Sequence, residues 1–281
     1  MALTGISGKI VLITGASGSV GSGVAVNLAK IGAKLALTGR DKTKLSATAE
    51  RSCLYGPLGV EMWAGLEPVF IVVGDLRNNG DVKNIVDKTV EKFGGIDILV
   101  NSAGVVKPGQ FLTMNMDDYE TTYTTNLRGV FVMCKMAVPH IIKRKGNIVN
   151  ISSYAGIRPI YSFFSYGMFE TCLDQLTRCL ALELGPKGVR VNSVNPGVLK
   201  NTDFWTRNGA PYASQVDNMD KIEEGMRKMY PMNRLGEVSD VVNAVTFLIS
   251  DNASFINGAI LPVDGGKVLS AKLATPDSGQ F

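Results

Sequence analysis

Residues 10–21 read Ile10-Val11-Leu12-Ile13-Thr14-Gly15-Ala16-Ser17-Gly18-Ser19-Val20-Gly21. Lys9 to Ile13 is a short apolar run suited to a buried strand, and from Gly21 to Ile31 the positions Val24, Leu28 and Ile31 recur at helical spacing. Between them lies a turn of mostly small residues. Such a turn lets backbone N–H groups and the positive end of a helix approach an anion with no Cβ in the way, the geometry that holds a pyrophosphate. Lys34 to Leu37 then reads as a second strand, so the segment makes a βαβ unit.

Outward from this unit, strands are expected at Val69 to Val73, Ile96 to Val100, Asn147 to Ile151, Val189 to Val194 and Ala259 to Val263, each separated from the next by a helical stretch. Continuous apolar runs of this kind suit strands covered on both faces. With right-handed crossovers they give an α/β, doubly wound parallel sheet of the Rossmann type. The long helices are expected at Met116 to Lys143 and Tyr166 to Leu184. No Pro/Gly/Ser-rich linker breaks the alternation, so residues 1–266 read as a single domain followed by a tail, 267–281. Val198 to Pro231, a polar stretch with Trp205 and several methionines, exceeds most αβ connections and is the expected substrate loop.

An apolar content of 45% over 281 residues is ample for one core. The 29 basic and 25 acidic residues leave a charge of +4 with no long block of one sign, so no nucleic-acid partner is indicated. No run of eighteen apolar residues and no basic-then-apolar leader occurs, which points away from a membrane span and towards a cytoplasmic protein. Cys53, Cys134, Cys172 and Cys179 lack CxxC spacing and His140 is the only histidine. A protein-built metal site and a histidine-based triad are therefore not expected. Cys172, Leu176 and Cys179 share a helical face and read as packing, while Met219, Met226 and Met229 suit either helix packing or a pocket wall.

Thr14 to Gly21 resembles the Thr-Gly-x-x-x-Gly-x-Gly fingerprint of the short-chain dehydrogenase/reductase family, with Ser19 at the middle glycine. Gly74-Asp75-Leu76, Asn101-Ser102-Ala103-Gly104 and Asn195-Pro196-Gly197 resemble three further family segments in order and spacing. The resemblance implies that Thr14, Gly15, Ser17, Gly18, Ser19, Val20 and Gly21 surround a dinucleotide phosphate. It places Asp75 and Leu76 at the adenine, Asn101, Ala103 and Gly104 along the cleft, and Pro196 and Gly197 at the nicotinamide. The second strand ends at Gly39-Arg40, where an acidic residue would have held the ribose hydroxyls of NAD. Arg40 offers a permanently charged fork suited to a 2′-phosphate, so NADP is expected over NAD.

The same resemblance implies a reaction centre. Ser153 would hold the substrate oxygen, Tyr166, thirteen residues on, would handle the proton, and Asn126 would support the proton relay. The family places a lysine four residues beyond its tyrosine, whereas this chain reads Tyr166-Gly167-Met168-Phe169-Glu170. A cation there favours the phenolate and an anion the phenol. At about 6 Å and an effective dielectric near 20, each unit charge is worth roughly 3 kcal/mol, so the exchange predicts a much weaker acid at Tyr166 and slow turnover.

Two functions fit. The first is an NADP-dependent oxidoreductase of weak activity acting on a small carbonyl or alcohol, favoured by Asn126, Ser153 and Tyr166. The second is a catalytically silent relative serving as a sensor, scaffold or oligomer partner, favoured by Ser19 and Glu170. The balance falls to the first. A homo-oligomer, tetramer or dimer, is implied by the resemblance.

Overall fold

The computed structural model describes residues 3–54, 68–202 and 219–270, with the side chains of 219–222 excepted. Seven strands form one sheet: β1 (Ile10–Thr14), β2 (Lys34–Gly39), β3 (Val69–Val73), β4 (Ile98–Asn101), β5 (Asn147–Ile151), β6 (Arg190–Pro196) and β7 (Ile260–Val263). Their order is β3-β2-β1-β4-β5-β6-β7, and every pairing is parallel. The expected doubly wound fold is what forms. Strands 4 and 6 are offset from the expected ranges, because Ile96 is buried before pairing begins and Asn195-Pro196 still pairs with β7.

Side chains alternate across each strand, and the two faces fill separate cores. Val11, Ile13, Leu35, Leu37, Val149 and Val194 pack with α1 (Ser19–Lys30), α2 (Lys42–Leu54) and α8 (Val238–Ile249). Leu12, Ala36, Leu99, Ile148 and Val191 pack on the other side with α3 (Asn79–Phe93), α5 (Gly129–Arg144) and α6 (Phe164–Leu184). The strand order reverses between β1 and β4, which opens a crevice at their carboxyl ends beside Thr14 and Asn101.

The helix expected over Met116 to Lys143 is interrupted. A short α4 (Met116–Thr122) passes into a π-helical turn, Tyr123–Arg128, and α5 resumes at Gly129, whose N–H donates to Thr124 O. Helix α6 starts at Phe164, two residues before the expected Tyr166. Cys172 and Cys179 are exposed, so the packing expected of them is wrong within this chain, and only Leu176 of that trio lies against the core. Met226 and Met229 pack with Tyr230 and Leu235 beside α7 (Met219–Arg227), which favours the helix-packing alternative. Residues 203–218, most of the expected substrate loop, and 271–281 lie outside the described residues. Lys267–Leu269 form a 3₁₀ turn that Arg158 holds by donating to Val268 O and Ser270 O, so order persists past Gly266.

Gly146 precedes β5 at a close crossing, where an added Cβ would stand 1.7 Å from Asp97 O. That neighbour is backbone and cannot swing away. Gly146→Ala is expected to destabilise the fold by about 3 kcal/mol, read as a lowered urea midpoint with an unchanged denaturant slope.

Candidate active site

The cofactor loop is built as its small residues require. Thr14 Oγ1 accepts from Ser102 N (3.1 Å) and Ala103 N (3.2 Å), which ties the end of β1 to the loop after β4. Gly15 has φ +63°, and a Cβ there would meet Ala103 Cα at 2.7 Å. A Cβ on Gly21 would stand 2.4 Å from Gly15 O. Gly18 caps α1 with no side-chain acceptor, and Ser19 and Val20 form the first turn, so free N–H donors face the crevice. A cradle that glycine keeps open at the foot of a helix fits a dinucleotide phosphate.

The carboxyl ends of β2 and β3 have their own constraints. A Cβ on Gly39 would approach Ser17 Oγ to 3.0 Å, so Ser17 occupies space that a larger residue there would need. Arg40 is exposed and near enough to Asp75 to favour its ionised form. Arg77 grips Asp75 more closely, donating from Nε (2.9 Å) and Nη2 (2.6 Å) to Oδ2, and this hydrogen bonding is the main reason the Asp75 carboxyl lies below its usual range. Leu76 is buried against Gly129, at the start of α5.

Asn101 donates to Asn150 Oδ1 (2.9 Å), and Asn150 donates to Thr177 Oγ1 (2.9 Å), a chain that pins β4 to β5 and α6. Ala103 and Gly104 follow in the floor of the crevice, with Gly104 against the Asn126 amide. Pro196 ends β6, and Gly197 fits closely between Tyr230 and Asp264.

Of the four expected reaction-centre residues, Ser153, Tyr166 and Glu170 lie together, and Asn126 joins them through Glu170. Ser153 follows β5, is buried, and lies near enough to the Tyr166 phenol to favour its ionised form. Its Oγ also accepts from Ala155 N (3.1 Å). Asn126 sits in the π turn, donates from Nδ2 to Val105 O and to Glu170 Oε1 (both 2.9 Å), and accepts from Val105 N (2.9 Å). The amide thus joins the loop after β4 to Glu170. Phe163 stands 6.4 Å from Tyr166 between ring centroids, an edge-on contact.

The electrostatics refine the expectation drawn from charge alone. Tyr166 keeps some exposed surface, but protein crowds its hydroxyl. Burial first, and Glu170 second, push the phenol well above its ordinary range. Glu170 is itself 3% exposed, and burial raises its own pKa to about 8. Near neutral pH it is therefore mostly a neutral acid, and its full repulsion reaches Tyr166 only in alkali. Sequence reasoning passed over the rest of this cluster. Asp174, one turn beyond Glu170, accepts from Asn195 Nδ2 (2.8 Å) and Ser193 Oγ (3.2 Å), and Asn195 also donates to Ser152 Oγ (3.3 Å), which in turn donates to the Glu170 main-chain O (3.4 Å). The i, i+4, i+8 spacing of Tyr166, Glu170 and Asp174 was the available signal.

The model described as "Enoyl-(Acyl carrier protein) reductase" matches residues 15–267. An uncharacterized oxidoreductase of Thermotoga maritima is 36% identical over 260 residues, 92% of this chain and 97% of that one. The L-xylulose reductase of Caenorhabditis elegans is 36% identical over 261 residues, 92% and 95% of the two chains. Among solved structures, a short-chain dehydrogenase/reductase of unknown function from C. elegans, determined with cofactor, superposes with a TM-score of 0.83 at 32% identity, covering 94% of this chain and 97% of that one. Parallel sheet and glycine cradle define an α/β protein of the Rossmann type. The chain belongs to the short-chain dehydrogenase/reductase family.

A carboxyl whose folded pKa exceeds its unfolded value makes the native state lose stability as pH rises between the two. For Glu170 the window runs from the ordinary 4.5 to about 8, and the loss is on the order of 5 kcal/mol. Glu170→Gln keeps an acceptor oxygen for Asn126 and cannot ionise. The variant should flatten this part of the pH profile, with little change at the acid end and a higher urea midpoint above pH 8.

Proposed function

We propose that the protein is an NADP-dependent oxidoreductase, acting on a small carbonyl or alcohol in a cytoplasmic setting as a homo-oligomer. The observation that carries this reading is the grouping of Ser153, Tyr166 and Glu170 beside a glycine-kept phosphate cradle. When bound, the nicotinamide supplies or accepts the hydride. Thr14, Gly15, Ser17, Gly18, Ser19, Val20 and Gly21 would hold the phosphates, Asp75 and Leu76 the adenine, Asn101, Ala103 and Gly104 the cleft wall, and Pro196 and Gly197 the nicotinamide turn. Ser153 would donate to the substrate oxygen and Tyr166 would pass it a proton. Glu170 stands where the family carries its lysine, and the raised phenol is the reason to expect slow turnover.

NADP is preferred here because Gly39 offers no carboxylate to ribose hydroxyls and Arg40 lies exposed at the same strand end. The silent-relative reading keeps one observation in its favour: Ser19 puts a side chain at the first helical position of the cradle. Titrating NADPH and NADH by fluorescence, alongside turnover on a carbonyl panel, separates the two readings. Dinucleotide binding with measurable reduction supports the enzyme, and binding without turnover supports the silent relative.

Arg40→Ala should weaken NADPH by about 10- to 100-fold and NADH far less, since a charge-assisted phosphate contact is worth about 1.5 to 3 kcal/mol. Equal losses for both cofactors would remove the phosphate role. Glu170→Lys should raise the rate of hydride transfer at neutral pH while changing cofactor affinity much less, because the charge at that position acts chiefly on the proton step. Stopped-flow rates with saturating cofactor check this, and a variant no faster than the parent would mean that the phenol is activated by another route.

A further inference from the structure

Tyr166, Glu170 and Asp174 follow one another at i, i+4 and i+8 along α6, so they line one face of that helix. The two carboxyls are 3% and 2% exposed. The groups facing them from the packed elements are neutral: Asn126 from the π turn and Ser152 from the end of β5 on Glu170, and Ser152, Ser193 and Asn195 from β5 and β6 on Asp174. Arg178, a further turn along α6, acts on Asp174 only as a more distant charge. Around the phenol, Ser153 favours ionisation while Glu170 and Tyr154 both oppose it. Two carboxylates so close, buried among neutral partners, do not both stay ionised, and the pair titrates as a unit.

We infer that Glu170 and Asp174, one turn of α6 apart, form a single buried acid pair that holds one proton between them, and that the charge left on this pair adds to burial in keeping Tyr166 an uncharged proton donor. Asp174 is thereby a positioning residue that acts through Glu170. The inference rests on the oxidoreductase reading only for its catalytic consequence. As hydride reaches a carbonyl carbon, the Tyr166 O–H bond breaks and an O–H bond forms on the substrate oxygen. The phenolate left behind regains its proton from water. Alcohol oxidation needs the reverse, a phenolate already present, so its rate should climb with pH well into the alkaline range while carbonyl reduction stays level through neutrality.

The test follows the carbon-13 signal of the Glu170 carboxyl in the full-length protein, assigned by its loss in Glu170→Gln, from acid to alkaline pH. The parent should titrate near pH 8. Asp174→Asn, which keeps an acceptor oxygen for Asn195 and offers its amide N–H to the Ser193 hydroxyl but removes the like charge, should lower that midpoint by at least about one pH unit. Ser152→Ala removes a hydroxyl that favours the ionised form and should raise it, which supplies a second reading if Asp174→Asn does not fold. A merely structural Asp174 would change the melting temperature and leave the midpoint in place, and that result overturns the inference, as does a Glu170 that ionises in the ordinary carboxyl range. Phenolate absorbance at neutral pH, lost in Tyr166→Phe, would overturn it as well. Carboxyl titrations that behave as stated in a protein that reduces no carbonyl would instead overturn the oxidoreductase reading and leave the acid pair standing.

Discussion

The buried Asn126 amide makes three hydrogen bonds, and the cluster of Ser153, Tyr166 and Glu170 is joined to the loop after β4 through it. Two of them grip the backbone of Val105, just past the loop that floors the cofactor crevice, and the third reaches Glu170 on α6. At 3% exposure, losing any partner would leave a buried polar group unsatisfied. The π turn is what brings the amide there, and Thr14 and Asn101 extend the same connectivity to β1 and β5. Loop, strand ends and the tyrosine helix are thus positioned by one continuous polar path rather than by packing alone.

That path changes the meaning of an acidic residue beside the tyrosine. Considered as a point charge, Glu170 is a penalty on proton transfer and little else. In its surroundings it is a largely protonated acid that accepts from the Asn126 amide and stands one helical turn from a second buried carboxyl, Asp174. The desolvation that makes an anion expensive here also removes much of the anion.

The sheet was legible because parallel strands buried on both faces leave unbroken apolar runs, and because Gly15 and Gly21 mark a crossing that tolerates no Cβ. The positions of Ser153, Tyr166 and Glu170 were legible from spacing and resemblance. The break in the helix at Tyr123–Arg128 was not, since a π turn keeps the same residue types and differs only in which carbonyl each N–H finds. Asp174, Ser152 and Asn195 escaped for a related reason: each is an ordinary polar residue until α6, β5 and β6 bring them together. The exposed Cys172 and Cys179 show the opposite error, a helical stripe that looks apolar in sequence but faces away from the sheet.

The π turn also makes chain length here unforgiving. One extra residue is wound into the six positions from Tyr123 to Arg128. Deleting a single residue from this stretch would let an ordinary α-helix run through, but each residue of such a helix turns the chain by about 100°. Either the Asn126 amide or the buried stripe of α5, which includes Val130, Met133, Cys134, Ala137 and Ile141, would then face the wrong way. Substitutions can accumulate in this segment one at a time, whereas a one-residue gap cannot be absorbed locally, and lineages descending from this chain should keep its residue count even where they change its letters.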